Sequence, residues 1–238
     1  MMIPLAERIL FEDNHLLIVN KMPSEIVQGD KTGDPSLLET VKEYIGRKYN
    51  KPGNVFAGLV HRIDRPVSGA VVYARTSKAL SRMTNMVRQR DFDKRYLAIV
   101  RNRPPETEGS LKHFLIKNEA QNKSFVVKPS QSGAKEARLD YKLIAQSESF
   151  YMLEIKLYTG RHHQIRVQLA AIGCPILGDL KYGDKRSLPD ASIGLHAAML
   201  GFNHPVGNQH LSIKAMPDWS SRHWAVFKNE ILNYFDQS

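Results

Sequence analysis

A single carboxylate lies among cationic side chains in residues 61–69, with the sequence HRIDRPVSG. The run follows an apolar stretch, and Pro66 and Gly69 predict that the backbone turns here. Nearby arginines keep a carboxylate ionised, so Asp64 is a candidate catalytic acid, base or nucleophile. The alternative is an Asp that caps the turn and makes a surface ion pair. The choice between the two depends on the rest of the chain.

A second cationic cluster occupies residues 159–168, with the sequence TGRHHQIRVQ. Gly160 predicts a junction between a strand and a helix over 161–172, and the free N–H groups that open a helix favour an anion. Arg166 lies beside the apolar stripe of that helix, so we expect it to be half-buried and to need an anion. Asp64 is a candidate for that anion. A purely structural ion pair is the alternative.

Three histidines in these two clusters raise the question of a metal site: His61, His162 and His163. Adjacent histidines point to different faces of a helix, and the single cysteine, Cys174, lies in an apolar run. We therefore expect no metal, and a buried, structural Cys174. The chain also lacks the glycine-rich phosphate loops and the GxSxG elbow, which argues against the common nucleotide-binding and serine-hydrolase classes.

Alternating and helical spacing of apolar residues predicts the elements that must position these side chains. Strands are predicted at 9–11, 16–19, 70–74, 96–100, around 125–127, 137–144, 151–158, 195–202 and 211–215. Helices are predicted at 36–49, with Ser36 as N-cap, at 76–90, at 161–172 with Gly173 as C-cap, and after Asp218. We predict one α+β domain over 1–238, with a central, mostly antiparallel mixed sheet flanked by helices.

The charge balance favours a polyanionic partner. The chain has 34 Lys and Arg against 24 acids, a formal net charge of +10. Nucleic acid is the first candidate and an anionic membrane the second. The densest region is 75–103, with nine Lys or Arg against two Asp, for which a solvated helix face is the alternative explanation. One cysteine, no signal peptide and no long apolar stretch predict a cytoplasmic protein.

Residues 61–69 resemble the HRLDxxTSG motif of the RluA-type pseudouridine synthases, and further segments follow in that family's order. These segments are the opening hairpin at 11–21, KxY at 94–96, TGRxHQ[IL]R at 158–167, GxPIxGDxxYG at 173–183 and LHA at 195–197. Together they extend over nearly the whole chain. The resemblance implies the pseudouridine synthase fold and the isomerisation of uridine to pseudouridine in RNA, with no cofactor or metal.

The resemblance also implies roles for individual residues. Asp64 would be the catalytic carboxylate, which either attacks carbon 1′ of the ribose or removes a proton from carbon 2′. Tyr96 would stack on the flipped uracil, and Arg166 would pair with Asp64. The predicted RNA contacts are His61, Arg62, Arg65, Lys94, Arg161 and Gln164.

The motifs serve the chemistry common to the family, so they do not decide whether the target is ribosomal or transfer RNA. Specificity is expected from loops such as 103–111 and 181–193. A monomer is the default expectation, and a partner protein could supply RNA specificity. Because the chain begins close to the hairpin, we expect a catalytic domain without the N-terminal RNA-binding domain of many bacterial relatives.

Three differences from the family pattern stand out. Ile63 replaces Leu, Val67 replaces Thr, and the usual KPxG reads KMPSE at 21–25, without its glycine. The alternative function on the same fold is a non-catalytic RNA-binding or ribosome-assembly factor. A glycosidase would need two carboxylates, and Asp179, interpreted as a loop-bracing residue, is a weak second.

Overall fold

The computed structural model describes residues 3–29 and 33–237. Its strands are β1 (Ile9–Glu12), β2 (Leu16–Lys21), β3 (Gly58–Leu59), β4 (Ser68–Ala74), β5 (Asp93–Val100), β6 (Glu108–Asn118), β7 (Lys123–Val127), β8 (Lys135–Gln146), β9 (Tyr151–Leu157), β10 (Leu195–Asn203) and β11 (His210–Lys214). Its α-helices are α1 (Leu37–Lys48), α2 (Ser77–Gln89), α3 (Gln164–Ala171), α4 (Arg222–Ala225) and α5 (Lys228–Asp236), with 3-10 turns at Leu5–Arg8 and Leu180–Tyr182. Two compact units result: the first is Met1–Asp93 with Ala197–Met216, and the second is Lys94–His196 with Pro217–Ser238.

The first unit is built on β4, whose seven residues are all buried. β2 lies antiparallel to it, with Val19 opposite Val71, and β1 extends the sheet beyond β2. β3 pairs with the last residues of β4, and β10, which carries β11, is a further neighbour. A strand covered on both faces has a continuous apolar sequence rather than an alternating one. The run AVVYA at 70–74 shows this pattern, and the strand predicted there is confirmed.

Two helices of the first unit begin where their capping residues predict. The Ser36 hydroxyl accepts a hydrogen bond from the Glu39 amide at the start of α1, and Thr76 caps α2 in the same way. α2 then packs Ala79 and Met83 into the core formed by the sheet. Both predicted helices are confirmed.

The second unit contains a fully antiparallel sheet in the order β5-β9-β8-β6-β7. α3 packs on this sheet, with Val167 against Leu115 and Ala137 and next to the Tyr182 ring. Cys174 is buried, as predicted.

The longest strand that the sequence did not predict is β6. The loop expected at 103–111 therefore ends at Glu108, where β6 begins. Its residues alternate between exposed and partly buried over the first half, but the apolar run Phe114–Leu115–Ile116 interrupts the alternation. A strand with polar residues at most outward positions and three consecutive apolar residues matches neither the alternating nor the continuous pattern.

Two helix predictions also need correction. α3 begins at Gln164 rather than at Arg161, because His163 takes a left-handed conformation with φ 54°. Its C-terminus is as predicted: Gly173 and Cys174 donate to the carbonyls of Ala170 and Leu169, which is a Schellman motif.

The helix predicted after Asp218 is two helices, α4 and α5. Four buried apolar residues nevertheless follow each other at helical spacing across both: Trp224, Phe227, Ile231 and Phe235.

The predicted α+β class with a mostly antiparallel sheet is confirmed, whereas the single domain over 1–238 stays a prediction. Within the described residues no helix is long and apolar enough to cross a membrane.

Gly69 opens β4 with φ +115°, and a Cβ atom there would overlap the backbone N and O of Ala197. Replacing it by alanine adds backbone strain of about 1–2 kcal/mol and overpacking of about 1–3 kcal/mol. We expect Gly69→Ala to lower the free energy of unfolding by roughly 3 kcal/mol, measured by urea denaturation. Gly53→Ala is the control, because its φ is +76° and no atom lies within 4 Å of the added Cβ. Equal losses in the two variants would contradict the close approach.

Candidate active site

Asp64 lies in the segment between β3 and β4. Its carbonyl accepts a hydrogen bond from the Val67 amide at 3.1 Å, which closes a turn. Ile63 and Val67 are buried on either side, while Asp64 itself is half-buried. The turn therefore anchors its apolar residues in the first unit and leaves the carboxylate partly accessible.

The ammonium group of Lys21 holds this turn from the inside. Lys21 is fully buried, and its Nζ donates to the carbonyls of Met22 (2.8 Å), Arg65 (3.0 Å) and Val67 (2.7 Å). Three acceptors match the three N–H groups of an ammonium. Burial lowers the pKa of Lys21 to about 7, while the negative charges of Glu25 and Asp64 act in the opposite direction. Lys21 was part of the resemblance, but its contact with the Asp64 turn was not predicted.

Ser24 takes the place of the glycine missing from the KPxG pattern. Its φ is 68°, in the left-handed region that glycine adopts without strain. The Ser24 amide donates to the Arg65 carbonyl at 2.9 Å, and Arg65 Nε donates back to the Ser24 carbonyl at 3.1 Å. Arg65 also pairs with Asp34 at 2.8 Å, both side chains being about half exposed. Arg65 thus ties two loops together within the first unit.

Two further predicted site residues precede Asp64. His61 is buried, with its ring centroid 6.3 Å from that of Phe92. Arg62 is exposed, and within the described part of the chain it makes no hydrogen bond or ion pair. The exposed Arg62 is therefore accessible to a ligand, and His61 belongs to the packing beneath the turn.

In the second unit Tyr96 lies on β5, opposite Ile155 of β9, and is buried. Lys94 lies two residues earlier, and burial lowers the pKa of its amine. A Cβ at Gly160 would lie 3.7 Å from Lys94 Nζ, so this amine and the Gly160 turn are neighbours.

Arg166 is more buried than predicted. Its Nε and Nη2 donate to the two carboxylate oxygens of Asp179 at 2.7 and 2.9 Å, with side chains 6% and 1% exposed. The guanidinium carbon lies 5.1 Å from the centre of the Tyr182 ring. Arg166 was expected to be half-buried beside the apolar stripe of α3, but it is buried because Asp179 and Tyr182 cover it. The proposed pairing with Asp64 stays a prediction. The Asp179 side chain binds Arg166, and its carbonyl accepts from the Tyr182 and Asp184 amides within its own loop, so its interpretation as a loop-bracing residue also stays a prediction.

His163 belongs to the same buried network. The Tyr182 hydroxyl accepts from the Ser124 amide at 2.8 Å, which leaves its proton for His163 Nδ1 at 2.9 Å. Burial, and secondarily the charge of Arg166, lower the pKa of His163 to about 2, so its imidazole is neutral. His162 stacks on this ring and binds Ser124 Oγ through its own Nδ1. Tyr182 belongs to the motif at 173–183 but was given no role there, and Ser124 carried no motif signal.

Gln164 and Arg161 form the turn that precedes α3. The Gln164 side-chain oxygen accepts from the Thr159 hydroxyl (2.7 Å) and the Arg161 amide (3.0 Å), and its nitrogen donates to the Arg138 carbonyl (3.1 Å). Both ends of this buried amide are therefore used within the protein. The predicted RNA contact of Gln164 stays untested, and its observed contacts position the backbone of Arg161.

Lys21→Met should destabilise the first unit, since the buried Val67 carbonyl and the partly buried Met22 carbonyl lose the donor that Lys21 supplies, while the Arg65 carbonyl keeps only the Ser24 amide. We expect a loss of about 2 kcal/mol or more in the free energy of unfolding at pH 7. Because the folded pKa is about 7 and the ordinary value 10.5, the unfolded chain binds more protons between these pH values. The stability of the unmodified protein should therefore rise relative to Lys21→Met from pH 7 to 10 in urea denaturation. A constant difference over that range would contradict the depressed pKa.

The pair between Arg166 and Asp179 can be measured by a double-mutant cycle. Each of Arg166→Met and Asp179→Asn leaves a buried charge without its partner, so each should cost about 3–5 kcal/mol of stability. The double variant should cost clearly less than the sum, because neither charge remains. Additive losses in thermal unfolding would show that the two side chains do not stabilise each other.

Comparison with known proteins agrees with the motifs. Residues 15–171 match the family model described as RNA pseudouridylate synthase. Over 222 residues the chain is 34% identical to ribosomal large subunit pseudouridine synthase C of Escherichia coli (strain K12), covering 90% of this chain and 67% of that protein. It is 33% identical over 218 residues to ribosomal large subunit pseudouridine synthase D of Zymomonas mobilis, covering 87% and 68%.

Solved structures show the same fold. Human RNA pseudouridylate synthase domain containing 4 superposes with a TM-score of 0.79 at 22% identity, covering 93% of each chain. Human RNA pseudouridylate synthase domain containing 1 gives 0.70 at 24% identity, covering 89% of this chain and 83% of the other. No group of three or more His, Cys, Asp or Glu side chains that could hold a metal ion occurs among the described residues. With the family model matching well over half of its length, the chain belongs to the RluA-type RNA pseudouridylate synthases and is an RNA pseudouridine synthase.

Proposed function

We propose that this enzyme forms pseudouridine in the RNA of the large ribosomal subunit. The observation that carries the proposal is the similarity to synthases C and D, which are both named for that substrate and align with about nine-tenths of this chain. Transfer RNA, which the motifs alone left open, is the competing substrate.

The chemistry assigned to Asp64 is cleavage of the bond between N1 of uracil and carbon 1′ of the ribose. Asp64 either adds to carbon 1′ or takes the proton from carbon 2′. The freed uracil turns and joins carbon 1′ through its carbon 5. In the first route this bond displaces Asp64 from carbon 1′, and in the second Asp64 returns the proton to carbon 2′. Carbon 5 then loses its proton and N1 gains one. Atoms balance without a cofactor. The half-buried position of Asp64 and the anchored turn around it support this role, since a reacting group must be held in place.

Tyr96 and Arg166 would assist from the second unit. A uridine within structured RNA must leave its stack, and an aromatic ring then holds it by stacking. Tyr96 is assigned this role, and its buried place on β5 supports a fixed ring. Arg166 is assigned to Asp64, as the family pattern implies. Its bidentate contact with Asp179 supports a guanidinium of fixed orientation.

The cations assigned to RNA differ in how accessible they are. Arg62 and Arg65 are exposed, and Lys94 and Arg161 are partly accessible, so these four are assigned to phosphates or to the flipped nucleotide. His61 and Gln164 are buried and are assigned to supporting positions next to them.

Asp64→Asn should abolish pseudouridine formation, while RNA binding and thermal stability remain close to those of the parent. The measurement is pseudouridine mapping in large-subunit and transfer RNA from cells that carry the parent gene, this variant, or neither. Asp236→Asn, at an exposed carboxylate in α5, is the matched control and should keep full activity. If pseudouridine depended on the gene only at positions in transfer RNA, the proposed large-subunit RNA substrate would be wrong. Normal modification by Asp64→Asn would overturn the catalytic role.

A further inference from the structure

The outward face of α2 is an accessible row of cations. Lys78, Arg82, Arg88 and Arg90 are all exposed, and we call them, with the polar residues between them, the α2 face. Lys78 and Arg82 are one turn apart, and Arg88 lies about 15 Å from Lys78 along the axis. The other exposed residues of this stretch are Ser77, Ser81, Thr84 and Gln89.

The acid nearest in sequence to this face is Asp91, which is exposed and directly follows Arg90. From Ser77 to Arg90 there is no Asp or Glu, and none of the four cations forms an ion pair within the described residues. Arg82 donates instead to the carbonyl of Pro205, in a loop, 203–209, that also lacks acids.

α1 shows that the same protein pairs helix charges elsewhere. Lys42 binds Glu39 at 3.0 Å and Arg47 binds Glu43 at 3.6 Å, both within the helix. In α2, by contrast, two like charges occupy positions i and i+4, and Lys78 lies in the first turn, where the helix dipole disfavours a cation. The like charges and the cation in the first turn therefore lower the stability of α2. This loss is expected where a surface is kept positive for a ligand.

The placement of α2 relative to Asp64 is inferred from the chain connections within the first unit. β4 begins four residues after Asp64, and α2 returns along the sheet from the far end of β4. Directly after α2, the Phe92 ring packs 6.3 Å from that of His61. The C-terminal end of the row, with Arg88 and Arg90, is thus the end nearer to Asp64.

From these observations we propose that the α2 face binds the phosphates of the RNA that flanks the target uridine, from Arg90 near Asp64 outward to Lys78. Lysine and arginine with interspersed hydroxyl and amide groups are the side chains that contact phosphate and sugar. A membrane-binding helix would present apolar residues, whereas Ala79 and Met83 of α2 are buried in the core. The inference rests on the proposed function only in taking a structured RNA as the substrate.

The test compares two triple variants of equal net charge. K78Q/R82Q/R88Q removes three cations from the α2 face. K128Q/K135Q/K142Q removes three exposed lysines of the second unit that form no ion pair with any residue the structure describes. Binding of a fluorescein-labelled RNA stem-loop with uridines in its loop is measured by anisotropy at several KCl concentrations. We expect the first variant alone to reduce the slope of log Kd against log salt by about 2 to 3, and to weaken binding tenfold or more at low salt.

Further measurements separate this effect from misfolding and from failure of the proposed function. Lys78→Glu creates an acid in the first turn, four residues before Arg82, so it should keep or raise the Tm while still weakening RNA binding. Pseudouridine mapping with the unmodified enzyme tests the function independently of this slope.

Three results would overturn the α2 proposal. The first is an unchanged slope in K78Q/R82Q/R88Q, and the second is an equal loss of slope in both triple variants. The third is that K78Q/R82Q/R88Q no longer binds phosphatidylserine vesicles while its RNA binding is unaltered.

Discussion

A buried ammonium group is the interaction on which the Asp64 turn depends. Lys21 donates to the carbonyl of Met22 and to those of Arg65 and Val67 in the turn, so two backbone segments converge on one atom. An arginine could not replace it, because a planar guanidinium donates in a fork rather than toward three converging acceptors. A side chain without N–H or O–H groups could not replace it either, since the Met22 and Val67 carbonyls would lose the donor that Lys21 supplies. The cost of burying the charge appears as the lowered pKa of this lysine.

The second unit uses a different arrangement for the same purpose. The buried charges of Arg166 and Asp179 neutralise each other in a bidentate pair, and the neighbouring His163 stays neutral. Tyr182 contacts both parts, through its ring and through its hydroxyl. Side chains held in this way lose little freedom when a ligand binds, which is what a preorganised site requires.

The sequence was most informative where local chemistry decides the structure. Ser36 begins α1 and Gly173 terminates α3, as predicted. The apolar run of β4 was recognisable because both of its faces are covered. β6 was missed because its polar outward positions and an apolar triplet obscure the period of two. Neither the left-handed His163 nor the contact between Arg166 and Asp179 could be predicted from local pattern. Both depend on residues that are distant in the chain.

The residues assigned to the candidate site came from the sequence, whereas the side chains that support them did not. Asp64, Tyr96 and Arg166 were taken from motifs of fixed spacing, and their catalytic roles stay predictions. The Lys21 contacts could not be deduced, since a lysine within a strand is ordinarily exposed. Ser24 shows the converse: the missing glycine suggested an altered backbone, yet a serine adopts the left-handed conformation at that position.

The complete burial of β4 has a consequence for how the enzyme can lose its active conformation. This strand carries the Asp64 turn at one end and leads into α2 at the other, and it has no exposed residue where opening could start. Its amide hydrogens should therefore exchange with solvent only through global unfolding, and fraying of loops should leave the turn intact. Inactivation on heating would then follow the cooperative melting of the first unit, with no earlier, local step.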